Sequence, residues 1–155
     1  MTWIFVCSNN LVRSVVAAAI CRQLAPEIQV DSAGLAESCK DRLNRQGLVR
    51  KRRPIAPVTR KYLKENGCVG TEGMRARQLT ADDVKKADLI WVMTEDHKRT
   101  VLKRFPEAAE KVRLLGDSEI KDSWKSKLRE EHLQAWYVKI ENAIKNRLSE
   151  ISSLP

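Results

Sequence analysis

Trp3-Ile4-Phe5-Val6 is a short unbroken apolar run, the pattern of a strand covered on both faces. It stops at the polar turn Cys7-Ser8-Asn9-Asn10. From Ser14 the apolar positions take helical spacing through Val15, Val16, Ala18, Ala19 and Leu24, as far as Ala25-Pro26. Ile28–Val30 predicts a second strand, closed by Ser32-Ala33-Gly34. Ala56–Glu65 predicts a helix with Asn66-Gly67 as its C-cap. Thr80-Ala81-Asp82-Asp83 has the spacing of a capping box and opens a short helix. Leu89-Ile90-Trp91-Val92-Met93 is the clearest buried strand, and Thr94 is placed to cap a helix running to about Arg104. Val112–Leu115 predicts a fourth strand. A final helix is expected over roughly Lys127–Ile151, with Leu133, Trp136, Tyr137, Ile140, Ile144, Leu148 and Ile151 on one side.

Strands alternating with helices imply parallel pairing through right-handed crossovers, hence a small doubly wound four-stranded α/β sheet flanked by helices. Such sheets bind ligands at the carboxyl ends of their strands. The loops after Val6 and after Leu115 are therefore the ones to inspect. Trp91 and Trp136 are expected in the core, and Trp3 either in the core or bordering the site.

A chain of 155 residues has room for one domain. A hydrophobic fraction of 43% argues against a disordered tail. No apolar run approaches the ~18–20 residues that span a bilayer, and Met1–Val6 lacks the layout of a signal peptide. The four cysteines, Cys7, Cys21, Cys39 and Cys68, form no close pair of the zinc or redox type. Free thiols in a reducing compartment, the cytoplasm, fit this size better than a disulfide framework. Lys plus Arg is 29 and Asp plus Glu is 20, a net charge of +9. Most of that excess sits in a basic loop at about 40–53, with seven cations and the single acid Asp41. The charge alone suggests nucleic acid, but no zinc spacing, helix-turn-helix or aromatic sheet motif supports a specific nucleic-acid partner. Arg50, Lys51, Arg52 and Arg53 are either a solvated loop or a dock for acidic partners.

The chemistry lies in Cys7-Ser8-Asn9-Asn10-Leu11-Val12-Arg13-Ser14, a Cys-x5-Arg pattern. Cys39 and Arg45 share the spacing but lack the strand before and the helix after. The backbone N–H groups of a tight loop, closed by a helix N-terminus, cradle a tetrahedral oxyanion such as inorganic phosphate. A cysteine at the base of that cradle faces N–H groups, the helix dipole and Arg13, all of which favour the nucleophilic thiolate. Arg13 offers a planar fork to two phosphate oxygens, and Ser14 is placed to donate a hydrogen bond to the sulfur. Attack on a phosphoester also needs a proton for the leaving oxygen and a base for water. Asp117, Glu119 and Asp122 follow the fourth strand; Asp122 is preferred because Ser123-Trp124 would set an aromatic ring beside the acid.

The Cys7–Ser14 loop, Ser32-Ala33-Gly34, Arg75-Ala76-Arg77-Gln78-Leu79-Thr80 before Ala87-Asp88-Leu89-Ile90, and Ile120-Lys121-Asp122 ahead of the last helix resemble the low-molecular-weight protein tyrosine phosphatases. The resemblance spans nearly the whole chain apart from the basic loop. It implies a single domain over 1–155, no metal or other cofactor, and a phosphocysteine intermediate in the hydrolysis of phosphotyrosine in proteins or peptides. Cys7 would be the nucleophile, Arg13 the phosphate clamp and Asp122 the general acid and then base. Asn10 and Ser14 would brace the loop, and Trp124 would lie beside the substrate's phenyl ring. Four positions depart from the family pattern: Asn9 replaces a glycine, Val12 the loop's second cysteine, Val15 a proline, and Ser123 the proline after the acid.

Arsenate reductases need a relay cysteine, and none lies between Thr80 and Trp91. Protein arginine phosphatases share a look of Met93-Thr94 and His97, but carry a small polar residue where this chain has Leu11, which favours an aryl phosphate. A weakly active or inactive phosphate-binding module would need neither Cys7 nor Asp122. His97 and His132 have no second partner at metal spacing and are expected to be solvated or capping.

Overall fold

Strands β1 (Thr2–Cys7), β2 (Gln29–Gly34), β3 (Leu89–Val92) and β4 (Val112–Leu114) form one sheet in the order β2-β1-β3-β4. Every pairing is parallel, with Trp3 opposite Val30 and Leu89, and Ile90 opposite Val112. This is the four-stranded α/β arrangement that the alternation of elements implies. The computed structural model describes residues 1–35, 54–121 and 130–153. The basic stretch 40–53, Asp122, Ser123, Trp124 and residues 127–129 lie outside them, as does the side chain of His132.

The helices are α1 (Arg13–Leu24), α2 (Pro57–Glu65), α3 (Ala81–Lys86), α4 (Glu95–Arg104) and α5 (Glu130–Ser152). Strand alternation divides the core into two layers. Trp3, Phe5, Cys7, Trp91 and Met93 pack with α1, α2 and α5, whereas Ile4, Val6, Ile90 and Val92 pack with α3 and α4. Helix α1 is buried from Arg13 to Cys21, which its runs of alanine and valine permit. Trp3 is fully buried, edge-on to Trp91 at a centroid distance of 5.3 Å, so it belongs to the core. The Thr80–Asp83 capping box forms as expected, and Thr94 caps α4 by accepting the His97 N–H.

Strand β2 runs further than its apolar residues indicate. Phe5, Val6 and Cys7 pair with Ser32, Ala33 and Gly34, so these residues are strand rather than a closing turn. Small residues are needed there because the segment ending at Leu79 runs alongside: Gly34 N donates to Arg77 O and Leu79 N to Gly34 O. The chain crosses from β1 to one edge of the sheet and from β3 to the other. The crevice between the carboxyl ends of β1 and β3 is thus the switch point at which ligands bind in this class of fold.

Candidate active site

The loop leaving β1 fills that crevice. Cys7, Ser8, Asn9, Asn10, Leu11, Arg13 and Ser14 are all buried, an unusual density of polar groups for a protein interior. No side chain caps α1 at Val12, so its first N–H groups are left to the loop. The left-handed residue is Asn10, at φ 53°, not Asn9. Asn is among the few residues that adopt this conformation readily. Asn9 therefore puts no left-handed strain into the loop; its Oδ1 is buried without a partner among the described residues.

Asn10 is held on three sides. Its Nδ2 donates to Ser14 Oγ at 2.9 Å and to Ser32 Oγ at 2.8 Å, and its Oδ1 accepts the Arg77 backbone N–H at 3.0 Å. Because Ser14 Oγ accepts from Asn10, its own hydrogen is free to point at Cys7 Sγ, 3.1 Å away. The Ser14 hydroxyl is thus able to donate to the sulfur. Arg77 in turn bridges Asp31 on β2 and Asp83 on α3, fixing the segment that presents its N–H.

Arg13 NH1 donates to the Ile120 carbonyl at 2.8 Å, and Ile120 N donates to Met93 O. The segment after β4 is thereby pinned against the loop two residues before Asp122. The other two carboxylates of that segment are engaged elsewhere. Asp117 pairs with Arg147 at 3.1 Å. Glu119 accepts the Glu95 backbone N–H at 2.9 Å, which with Lys121 holds its carboxyl below the usual range. Trp136, half-buried on α5, donates its indole N–H to the Lys121 carbonyl.

Leu11 packs against Ala76 and Val12, an apolar wall beside the loop. Cys21 and Cys68 are free and buried; burial pushes the Cys21 thiol up to about 12 and raises that of Cys68. His97 is neither solvated nor a side-chain cap. It is 5% exposed, its Nε2 lies 2.9 Å from Ser8 Oγ, and Thr94 caps only its backbone N–H. Burial first, and then Arg13, pushes its imidazole down to about 3, so it is neutral. Spacing could not expose this contact, because Ser8 and His97 meet only through the parallel register of β1 and β3.

A family model for low molecular weight phosphotyrosine protein phosphatase matches residues 2–152. The chain belongs to the low molecular weight phosphotyrosine protein phosphatase family. A probable low molecular weight protein-tyrosine-phosphatase, EpsP of Ralstonia solanacearum, is 33% identical over 118 residues, 76% of this chain and 72% of EpsP. The structure of Vibrio vulnificus Wzb in complex with benzylphosphonate superposes with a TM-score of 0.80 at 27% identity, covering 96% of this chain and 97% of Wzb. A protein-arginine-phosphatase of Geobacillus stearothermophilus is 32% identical over 112 residues, 70% of this chain and 64% of that protein. As a member of this phosphatase family the chain is a cysteine-dependent protein-tyrosine phosphatase acting on phosphorylated substrates. No helix among the described residues is long and apolar enough to cross a membrane.

Proposed function

We propose that the chain hydrolyses phosphotyrosine in proteins with Cys7 as nucleophile, Arg13 as phosphate clamp and Asp122 as proton donor and acceptor. The observation that carries these roles is the 3.1 Å approach of Cys7 Sγ and Ser14 Oγ beneath the uncapped N-terminus of α1. Cys7 sulfur attacks phosphorus while the bond to the phenolic oxygen breaks and Asp122 gives that oxygen its proton. Water then attacks the phosphocysteine, loses a proton to Asp122, and leaves inorganic phosphate and the thiolate. The loop N–H groups and the Arg13 fork stabilise the phosphoryl oxygens in both transition states.

Two features support Asp122 over its neighbours. Asp117 and Glu119 already hold Arg147 and the α4 N-terminus. Ile120 is bonded to Arg13, and two residues of chain reach at most about 7 Å beyond it. Trp124 is assigned to a place beside the substrate's phenyl ring. The cations Arg50, Lys51, Arg52 and Arg53 are assigned to recruiting acidic partners, and the unpaired thiols of Cys7, Cys21 and Cys68 among the described residues fit a cytoplasmic location.

Turnover of p-nitrophenyl phosphate by the wild type, Cys7→Ser and Asp122→Asn proteins tests the assignment. Cys7→Ser should be inactive and still bind phosphate, and Asp122→Asn should lose about 100-fold or more on a phosphotyrosine peptide assayed alongside, whose phenol needs the proton. A wild type that binds phosphate without turnover would sink the enzyme in favour of a binding module.

Phosphoarginine is the second substrate to test, on the strength of the arginine-phosphatase relative. The apolar contact of Leu11 with Ala76 favours the aryl ester instead. A phosphotyrosine-to-phosphoarginine ratio that Leu11→Thr leaves unchanged would refute that preference.

A further inference from the structure

His97 is buried against the phosphate loop and takes no part in the proposed reaction, yet it closes a circuit through three loops. Ser8, in the loop leaving β1, meets His97 Nε2 at 2.9 Å. His97 stands in the first turn of α4, held by its N–H to Thr94 Oγ1 at 3.2 Å. The same turn donates Glu95 N–H to Glu119 at 2.9 Å, and Met93 O accepts from Ile120 N at 2.8 Å. Ile120 O returns to the loop through Arg13 at 2.8 Å. The ring's charged neighbours are Arg13 of the loop, Asp96 of α4 and Glu119 of the segment after β4. Its Nδ1 is buried and has no partner among the described residues, so a second ring proton would find no acceptor there.

We propose that His97 is a positioning residue: its ring fixes Ser8 and, through the first turn of α4, holds Glu119 and Ile120, just ahead of the assigned proton donor Asp122, against the phosphate loop. This role rests on the assignments made for Cys7, Arg13 and Asp122. It predicts a loss that depends on the leaving group. Phenol, a poor leaving group, needs a well-placed proton donor, whereas p-nitrophenol departs with little help.

The test is kcat/KM on a phosphotyrosine peptide and on p-nitrophenyl phosphate for wild type, His97→Phe, His97→Gln, Ser8→Ala and the Ser8→Ala/His97→Phe double variant. His97→Phe should lose about tenfold on the peptide and less than about threefold on p-nitrophenyl phosphate. His97→Gln, which keeps a polar group near the Nε2 position, should recover most of the loss. The double variant should be no worse than the poorer single one, because both break one contact. In wild type, the ring resonances missing from the His97→Gln NMR spectrum should not titrate between pH 5 and 8. Equal losses on both substrates, a folded His97→Phe with wild-type kinetics, multiplicative effects of the two substitutions, or a titrating ring would each overturn the role. A wild type inactive on both substrates would instead sink the reaction on which it rests.

Discussion

The backbone N–H of Arg77 donates to Asn10 Oδ1 across 3.0 Å, tying the left-handed residue of the phosphate loop to a segment 67 positions further along the chain. Asn10 thus answers two demands at once, a positive φ and three hydrogen bonds. Asn10→Ala should cost about 3 kcal/mol of stability and lower kcat/KM on p-nitrophenyl phosphate by at least about 100-fold. Asn10→Gly, which relieves φ but restores no bond, should regain roughly 1 kcal/mol in urea unfolding and almost none of the activity. Equal activity in the two variants and wild type would refute the bracing role.

Ser14 is oriented by Asn10 so that its hydroxyl faces the sulfur of Cys7. Ser14→Ala should reduce kcat roughly 10- to 100-fold, since it removes the hydroxyl in contact with the Cys7 sulfur. Thermal unfolding should shift by only a few degrees, separating chemistry from folding.

Acid stability should carry the signature of His97. Its folded pKa, about 3, lies below the ordinary 6.5, so between these values the unfolded chain binds the proton and the folded one does not. Its contribution to stability is complete above about pH 6.5 and is lost as pH falls toward 3. From pH 7 to pH 5 the loss is about 2 kcal/mol. Urea unfolding of wild type and His97→Gln at both pH values should show this difference only in the wild type.

Arg147 ties α5 to the end of the sheet. Its side chain is 15% exposed, donates Nε–H to the Leu115 carbonyl, pairs with Asp117 and Glu150, and lies over the Trp91 ring. Arg147→Leu should cost about 2 kcal/mol in chemical denaturation while leaving kcat/KM within about threefold. Arg147→Lys should not restore the loss, because an ammonium cannot reproduce the fork or its stacking on the indole.

Local pattern reveals the parts of this molecule that local physics decides. The apolar runs of β1 and β3, the capping box at Thr80 and the turn at Cys7 are all visible in short windows. The strand character of Ser32-Ala33-Gly34 is not, because those residues are chosen for close approach to the Arg77–Leu79 segment rather than for β propensity. His97 is hidden for a similar reason. A histidine five residues past the end of β3 looks like a surface residue until the register of β1 against β3 brings it under Ser8. The left-handed position likewise depends on bonds from Ser32 and Arg77, so the loop alone does not distinguish Asn9 from Asn10.

Three partners of the cysteine loop come late in biosynthesis. Ser8, Asn10 and Arg13 leave the ribosome 89, 67 and 107 residues before His97, Arg77 and Ile120, to which they bond. At translation rates of about 5–20 residues per second, that interval lasts several seconds or more. A nascent chain that ends before Ile120 carries the thiol without a finished phosphate site. Competence to cleave phosphate is therefore acquired near the end of synthesis, and a truncated product is a thiol protein without being a phosphatase.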